Sequence, residues 1–253
     1  MPELLREVKK HYKKEGRAHL PWRQFDRPLP AGRQAYKILV SEIMLQQTQA
    51  ERVIPFYKKF LKEFPTPKTL AQAPLSKVLK AWQGLGYNRR AKFLHQAAKI
   101  ITEKYKGKLP TEVAKIEELP GVGHYSARAI TIFAYNKPEV CIETNIRTVF
   151  IYFYFPPTRF NLAAGKISDA ELLPLVAEAL KSSKMQPRDF YAALMDYGAH
   201  LKGQGIALNS RSKHYTKQSK FEGSRRQKQA ALLRTLLARG ASEKELEKVL
   251  MSK

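Results

Sequence analysis

The stretch ELPGVGHYSARAITIFAY, residues 118–135, places a glycine-rich turn between two helical patterns. One helix is predicted to end near Glu118, a five-residue turn covers 119–123, and a second helix begins at His124 or Tyr125. Gly121 and Gly123 permit positive φ and close backbone approach. Such a turn can direct backbone N–H groups and a helix N-terminus at one phosphate of DNA, although a plain helical hairpin would have the same pattern.

The overall charge points to a polyanionic partner. The 253-residue chain has 46 Lys plus Arg against 22 Asp plus Glu, a formal net charge of +24. Nucleic acid is the first candidate, and an acidic membrane surface is the alternative. No run reaches the roughly 18 apolar residues of a spanning helix, and residues 1–16 lack the apolar centre of a signal peptide. We therefore expect a cytoplasmic, DNA-associated monomer without a membrane partner.

The apolar periodicity is helical throughout. Apolar side chains recur at three- and four-residue intervals over residues 34–62, and no alternating strand pattern competes with them. The same periodicity covers 69–82, 90–105, 111–118, 124–135, 144–155, 169–183 and 187–201, and a last amphipathic pair of helices is predicted over 225–251. Proline and glycine interrupt it at short connections. The pattern predicts an all-α fold.

Cysteine and histidine usage limits the metal chemistry. The single cysteine, Cys141, allows no intrachain disulfide and no iron–sulfur cluster held by several thiolates of this chain. His124 has no second His or Cys at ligand spacing, so we expect it to be exposed or to face DNA. No side-chain metal site is predicted.

A lone carboxylate, Glu143, precedes the helical pattern 144–155 in PEVCIETNIRTVF, residues 138–150. A polar residue at this place is often a helix N-cap. A catalytic carboxylate is the other interpretation, and the residue types alone leave both open.

Six ordered motifs resemble the helix-hairpin-helix DNA glycosylase superfamily, and within it the MutY-type adenine glycosylases. They are LPWR (20–23), SEIMLQQTQ (41–49), WQGLGYNRRAKFLHQAA (82–98), LPGVGHYSA (119–127), ETN (143–145) and MDYGA (195–199). The resemblance implies two helical lobes, a helix-hairpin-helix motif, and DNA bound in the groove between the lobes. We expect one lobe over 30–135, a second over 1–29 plus 136–201, and a basic segment with C-terminal helices over 202–253.

The resemblance also implies catalytic roles. Glu143 matches the essential carboxylate of the family, which is normally Asp, and Glu42 matches the group that protonates the purine leaving base. Tyr125 and Asn145 match residues that assist at the sugar and at the carboxylate. N-glycosidic cleavage needs a neutralised leaving base and a negative charge beside the oxocarbenium ion, so we expect Glu143 to be ionised near a positive helix end. Apolar neighbours are expected to raise the pKa of Glu42.

Further residues are expected to bind DNA or the flipped base. Gln47 matches a residue that enters the base stack, and Trp22 and Tyr87 are candidates for either pocket lining or core packing. Arg89 and Arg90 are interpreted as a solvated basic face close to phosphate. The remaining predicted DNA contacts are Gln46, Gly121, Val122, Gly123, His124, Arg211, Lys213 and Lys217.

The chain departs from the family in three places. Glu143 carries one methylene more than Asp, and the segment after MDYGA lacks the four cysteines that hold a [4Fe–4S] cluster in many relatives. Residues 202–228 instead carry eight Lys or Arg against Glu222, so we expect this segment to replace the cluster loop electrostatically. The residues after Lys202 are too few for the family's 8-oxoguanine-reading domain. A Na⁺ or K⁺ at the hairpin carbonyls is the only cofactor that the resemblance suggests.

The predicted function is excision of a mispaired or damaged base from double-stranded DNA, most simply adenine opposite 8-oxoguanine or guanine. Tyr125 stands where bifunctional relatives carry Lys, so no efficient lyase step is expected. A thymine or uracil mismatch glycosylase is the enzymatic alternative. A catalytically inactive DNA-binding module is the alternative from another class.

Overall fold

A computed structural model describes residues 1–24, 31–156 and 166–251, without the side chains of residues 31–33. Within these ranges the chain forms thirteen α-helices and no β-strand, and the predicted all-α fold class is confirmed. The helices are α1 Pro2–Glu15, α2 Ala31–Leu45, α3 Ala50–Glu63, α4 Pro67–Ala71, α5 Leu75–Trp82, α6 Arg89–Lys104, α7 Val113–Glu117, α8 His124–Tyr135, α9 Thr144–Tyr154, α10 Asp169–Ser183, α11 Pro187–Gly203, α12 Arg225–Ala238 and α13 Glu243–Met251. Among the described helices, none has the length and apolar character needed to cross a membrane.

The chain divides into two compact units. Unit 1 comprises Met1–Ala18 and Thr131–Lys217, and unit 2 comprises His19–Ile130 and Gln218–Lys253. Helix α8 runs through the boundary at Ile130. The lobe boundaries expected from the sequence stay a prediction, and their parts at 25–30, 157–165 and 252–253 lie outside the described residues.

Unit 1 is built from α1, α9, α10 and α11. Leu4 and Val8 of α1, one helical turn apart, are buried, as are Phe150 of α9 and Phe190 of α11. Burying large apolar side chains of this kind stabilises each of these helices by about 1.5–3 kcal/mol per side chain. The sequence spacing of these residues thus places one face of each helix in the core.

Unit 2 contains α2–α7, the first part of α8, and the C-terminal pair α12 and α13. Helix α3 buries Val53, Tyr57 and Phe60 at four- and three-residue spacing, and the Phe60 ring meets the Trp82 ring edge-on with centroids 5.8 Å apart. The C-terminal pair is attached to the same core, because Glu243 accepts the backbone N–H of Leu75 at 2.8 Å.

Two predicted helical segments are divided in the structure. The segment 34–62 becomes α2 and α3, separated by residues 46–49, where Gln47 adopts a left-handed φ of +55°. The segment 69–82 becomes α4 and α5, with Pro74 as the residue before α5. Apolar periodicity continued across both breaks, so periodicity alone could not locate them.

Candidate functional site

In the hairpin turn of unit 2, a side chain would clash at Gly121 but not at Gly123. Gly121 has φ +79°, and a Cβ added there would lie 2.8 Å from Cβ of Phe93. Gly123 has no positive φ, and nothing lies within 4 Å of its added Cβ. Of the two glycines that permit positive φ, Gly121 adopts it and Gly123 does not. The buried Val122 donates its N–H to the Leu119 carbonyl at 3.0 Å, which closes the turn.

The turn leads into the N-terminus of α8 and presents a surface suited to an anion. The first N–H groups of any α-helix lack partners within the helix, and the helix dipole is positive there. Gly123 and His124 at this end are exposed. His124 Nδ1 lies 3.4 Å from Glu117 Oε1, and Arg128 lies one turn further along α8. Backbone N–H groups thus face the exposed hairpin end, whereas Arg128 donates to the His124 carbonyl at 3.3 Å and lies 3.9 Å from Glu117.

Gln46, the residue after α2, supports the hairpin. Its Nε2 donates to the Gly121 carbonyl at 2.9 Å and lies 3.4 Å from Ser126 Oγ. The amide group thus binds protein atoms on both sides of the turn. The predicted DNA contact of Gln46 stays a prediction, whereas its role in holding the hairpin is visible in the structure.

Arg90 is a buried structural arginine, and its assignment to a solvated face was wrong. Its guanidinium donates to the carbonyls of Ile43, Met44 and Gln46 at 3.0, 2.7 and 2.6 Å, and to Gly86 at 2.9 Å. Burial lowers its pKa to about 10, so it stays charged at neutral pH. The last carbonyls of α2 and the 84–87 loop are therefore held by one cation.

A signal for this role was present in the sequence. Arg90 shares a helical face with Leu94, Ala97 and Ile101, all of which are buried. A residue at that spacing is expected to point inward. Arg89, one position earlier, is exposed, with its guanidinium 5.6 Å from the Phe93 ring centroid.

A cavity of about 1230 Å³ lies within unit 2, beside the loops that Arg90 holds. Gln47 and Tyr87 line it, and both are non-glycine residues with positive φ, +55° and +49°. Such backbone strain is concentrated at functional sites. Helix α12 forms part of the wall through Arg226 and Arg234, and the Arg226 guanidinium lies 5.0 Å from the Tyr87 ring centroid. The cavity therefore combines cations with aromatic faces.

The other predicted residues of unit 2 differ in exposure. Glu42 is buried on α2 beside Ile43 and Met44, as its apolar neighbours predicted. Tyr125 is half-buried in the first turn of α8. Trp22 is buried and meets the Tyr57 ring edge-on at 5.5 Å, so core packing is confirmed for it. A role of Trp22 in the base pocket stays a prediction.

In unit 1, Glu143 is the N-cap of α9. Its Oε1 accepts the backbone N–H groups of Asn145 and Ile146 at 2.8 and 2.9 Å. Its Oε2 accepts Nδ2 of Asn145 at 3.2 Å. The cap interpretation is confirmed. A catalytic role remains compatible with it, because a carboxylate has about four lone-pair sites and three are used.

The pKa of Glu143 is shifted upward, whereas the sequence led us to expect a carboxylate that stays ionised. Burial raises its pKa above the ordinary value, whereas the N–H groups of Asn145 and Ile146 and the charge of Arg147 lower it. The net direction is upward, because desolvation of the carboxylate outweighs the helix end. The ionised state of Glu143 near neutral pH stays a prediction.

Gly198 of MDYGA fixes the position of Asn145. A Cβ added at Gly198 would lie 2.4 Å from the Asn145 carbonyl oxygen and 2.7 Å from its carbonyl carbon. Helices α9 and α11 therefore meet at bare backbone. In the same motif, buried Asp196 accepts Nε of Arg17 at 2.6 Å. The sequence contained the MDYGA motif, but it did not indicate that Gly198 contacts Asn145, which donates to Glu143.

The predicted basic residues of unit 1 fall into two classes. Lys213 and Lys217 are exposed. Arg211 is half-buried and donates to the Phe155 carbonyl. Arg211 thus has a structural bond that the sequence did not indicate, and the two lysines are the better candidates for phosphate contact.

Comparisons with known proteins agree on the family. The family model "HhH-GPD superfamily base excision DNA repair protein" matches residues 40–166, half of the chain. The chain is 41% identical to "Adenine DNA glycosylase" of Mycolicibacterium smegmatis over 184 residues, 72% of this chain and 58% of that protein. It is 43% identical over 139 residues to the protein of that name from Buchnera aphidicola subsp. Baizongia pistaciae, covering 55% of this chain and 38% of the relative. The chain thus spans about two fifths to three fifths of the length of these relatives.

Solved structures show the same fold. A "thermostable thymine-DNA glycosylase" is 29% identical with a TM-score of 0.63, covering 78% of this chain and 85% of that one. A non-covalent endonuclease III–DNA complex is 17% identical with a TM-score of 0.55, covering 87% and 88%. The glycine hairpin, the capped carboxylate and these matches lead to one conclusion: the chain belongs to the HhH-GPD superfamily of base excision DNA repair proteins.

Proposed function

We propose that the protein is a monofunctional DNA glycosylase that removes adenine mispaired with 8-oxoguanine or guanine. The observation that carries the proposal is the carboxylate of Glu143, held at the start of α9 by two backbone N–H groups and by Asn145. A carboxylate fixed in this way meets the need of N-glycosidic hydrolysis for a preorganised negative charge. The similarity to proteins named adenine DNA glycosylase supports adenine as the base.

The proposed reaction needs one proton donor and one anion. A protonated Glu42 gives its proton to a ring nitrogen of the flipped adenine, which leaves as the neutral base. The ionised Glu143 stabilises the oxocarbenium ion that forms at the sugar. Water then adds to C1′ and releases a proton, which restores the acid. The position of Glu42 supports its role, because the residue is buried on α2 and its carboxyl group is largely shielded from bulk water.

Tyr125 supports the absence of a lyase step. A bifunctional enzyme needs an amine that attacks the sugar and forms an imine. The phenol of Tyr125, at the start of α8, cannot form that bond. We therefore propose that the product is an intact strand with an abasic site.

DNA binding is proposed to depend on backbone N–H groups of the hairpin and on exposed basic side chains. The exposed hairpin end around Gly123 offers N–H groups to one phosphate. The exposed Arg89, Lys213 and Lys217 add charge, and each phosphate contact contributes to the salt dependence. The Leu119 and Gly123 carbonyls each accept one N–H and keep a second lone pair. They are the groups that would hold a Na⁺ or K⁺ at the hairpin.

We further propose that the cavity of unit 2 receives the base opposite the excised one. Arg226 and Arg234 line it from α12, and Arg226 also donates to the Tyr87 hydroxyl and to the Ser219 carbonyl. The carbonyl oxygens of guanine and 8-oxoguanine accept hydrogen bonds from such donors. Arg226→Ala should lower the preference for 8-oxoguanine over thymine opposite adenine, whereas Lys228→Ala on the same helix should leave it unchanged.

The test is single-turnover base release from four duplexes: A opposite 8-oxoguanine, A opposite guanine, T opposite guanine and U opposite guanine. We expect release from the two adenine duplexes, with strand breaks only after alkali. The 29% identity to a thymine-DNA glycosylase makes thymine the second candidate. Release of thymine or uracil alone would show that adenine is not the substrate. Breaks without alkali, with a trapped imine, would overturn the monofunctional mechanism.

A further inference from the structure

Two histidines and a glutamate meet on the surface of unit 1, away from Glu143 in sequence. His11 and Glu15 lie one turn apart on α1, and His200 lies on α11. Their ligand atoms, imidazole nitrogens and a carboxylate oxygen, all lie within 4.8 Å of one another. His11 Nδ1 is 4.0 Å from Glu15 Oε2. Sequence spacing showed only the pair on α1, because His200 is distant along the chain.

The two imidazoles are close enough to share one ligand. Their ring centroids are 4.5 Å apart with an interplanar angle of 37°. A neutral imidazole has a free nitrogen lone pair, which is the form that binds a metal ion.

Contacts that do not involve the three side chains hold the two helices together. Tyr12 of α1 donates its hydroxyl to Asp189 of α11 at 3.4 Å, and Arg17, two residues after α1, forms its 2.6 Å ion pair with Asp196 of α11. This pairing also offsets the positive charge of Arg17, which would otherwise oppose a bound cation. The Tyr197 ring lies 5.6 Å from the His11 ring and 6.0 Å from the His200 ring. Both histidines thus stand on a rigid, partly apolar support.

The donor set selects the kind of ion. Two imidazole nitrogens and one carboxylate oxygen suit Zn²⁺ and neighbouring divalent transition metals, whereas Mg²⁺ and Ca²⁺ prefer oxygen ligands alone. Metal–ligand distances near 2.0–2.2 Å require the three groups to close around the ion. Glu15 can move because its side chain is 49% exposed and stands at the last residue of α1.

We propose that His11, Glu15 and His200 form a binding site for one Zn²⁺ or similar transition-metal ion, which links α1 to α11. Water completes the coordination. Helix α11 also carries Gly198, so the ion stabilises the element that positions Asn145. The proposal is independent of the substrate of the enzyme, and its test needs no DNA.

The test is titration of the full chain, stripped with EDTA and dialysed, with ZnCl₂ in competition with a chromophoric chelator. We expect one saturable site per chain. His11→Ala and His200→Ala should each weaken binding at least tenfold, and Glu15→Gln should weaken it less. The matched control is His124→Ala, because His124 also lies near a glutamate, 3.4 Å from Glu117, but outside the three-residue cluster.

A second readout separates metal binding from folding. Each variant is unfolded thermally with EDTA and with Zn²⁺, and we expect Zn²⁺ to raise the Tm of the parent and of His124→Ala but not of His11→Ala or His200→Ala. Co²⁺ should give the visible absorption of a tetrahedral site in the parent. Absence of one-to-one binding, or equal Zn²⁺ affinity in the parent and both histidine variants, would overturn the proposal.

Discussion

Replacing Gly198 with Ala should displace the group that holds Glu143. The added Cβ would lie 2.4 Å from the Asn145 carbonyl oxygen, whereas ordinary contact begins near 3.4 Å. The two helices must therefore separate by about 1 Å, a misplacement that can lower a rate about a hundredfold. Overpacking of this kind costs about 1–3 kcal/mol of folding stability.

The assays are single-turnover adenine release, DNA affinity and urea denaturation. Gly203→Ala is the matched control, because Gly203 lies on the same helix and nothing lies within 4 Å of its added Cβ. We expect Gly203→Ala to release adenine like the parent, and Gly198→Ala to bind DNA normally while its rate falls about a hundredfold. A parental rate in Gly198→Ala would refute the claim that the contact positions Asn145.

Three further perturbations follow from the geometry. Arg90→Ala leaves the last carbonyls of α2 without their donor and should lower the free energy of unfolding in urea by about 3 kcal/mol or more, since a hydrogen bond from a charged group contributes about 1.5–3 kcal/mol. Arg90→Lys should restore part of this stability. Equal losses of stability in the two variants would contradict the claim that the guanidinium binds several carbonyls at once. Gly121→Ala combines strain at φ +79° with the Phe93 contact and should destabilise by about 1–3 kcal/mol, whereas Gly123→Ala, in open space, should not. Burial raises the pKa of Glu143, so its carboxyl group ionises at a higher pH in the folded protein than in the unfolded chain. The parent should therefore lose stability relative to Glu143→Gln as the pH rises from the ordinary glutamate value of 4.5 through the raised pKa. A Tm difference independent of pH would contradict this.

The helices were predictable because their apolar faces repeat at helical spacing and their ends carry clear signals. Pro187 begins α11 and Glu143 caps α9. The hairpin was predictable for a similar reason, since Gly121 supplies the positive φ that the turn requires. Residues within or next to each helix and turn determine these features, so the sequence alone can predict them.

The contacts between distant segments were not predictable in the same way. The helical spacing of Arg90 indicated an inward side chain, but a single sequence does not show that the carbonyls of Ile43, Met44 and Gln46 accept its hydrogen bonds. Gly198 was part of a motif whose partner, Asn145, lies about fifty residues earlier. The desolvation of Glu143 likewise comes from packing around the start of α9, which a single sequence does not specify.

The central claim is that Glu143 is a catalytic carboxylate as well as the cap of α9. The most direct measurement is single-turnover adenine release from an A opposite 8-oxoguanine duplex by the parent and by Glu143→Gln, with DNA affinity and Tm measured beside it. Glutamine can still accept the N–H groups of Asn145 and Ile146, so the cap is retained while the charge is removed. We predict that Glu143→Gln has a Tm no lower than that of the parent and binds DNA like the parent but releases no adenine. Release at the parental rate would show that Glu143 only caps the helix.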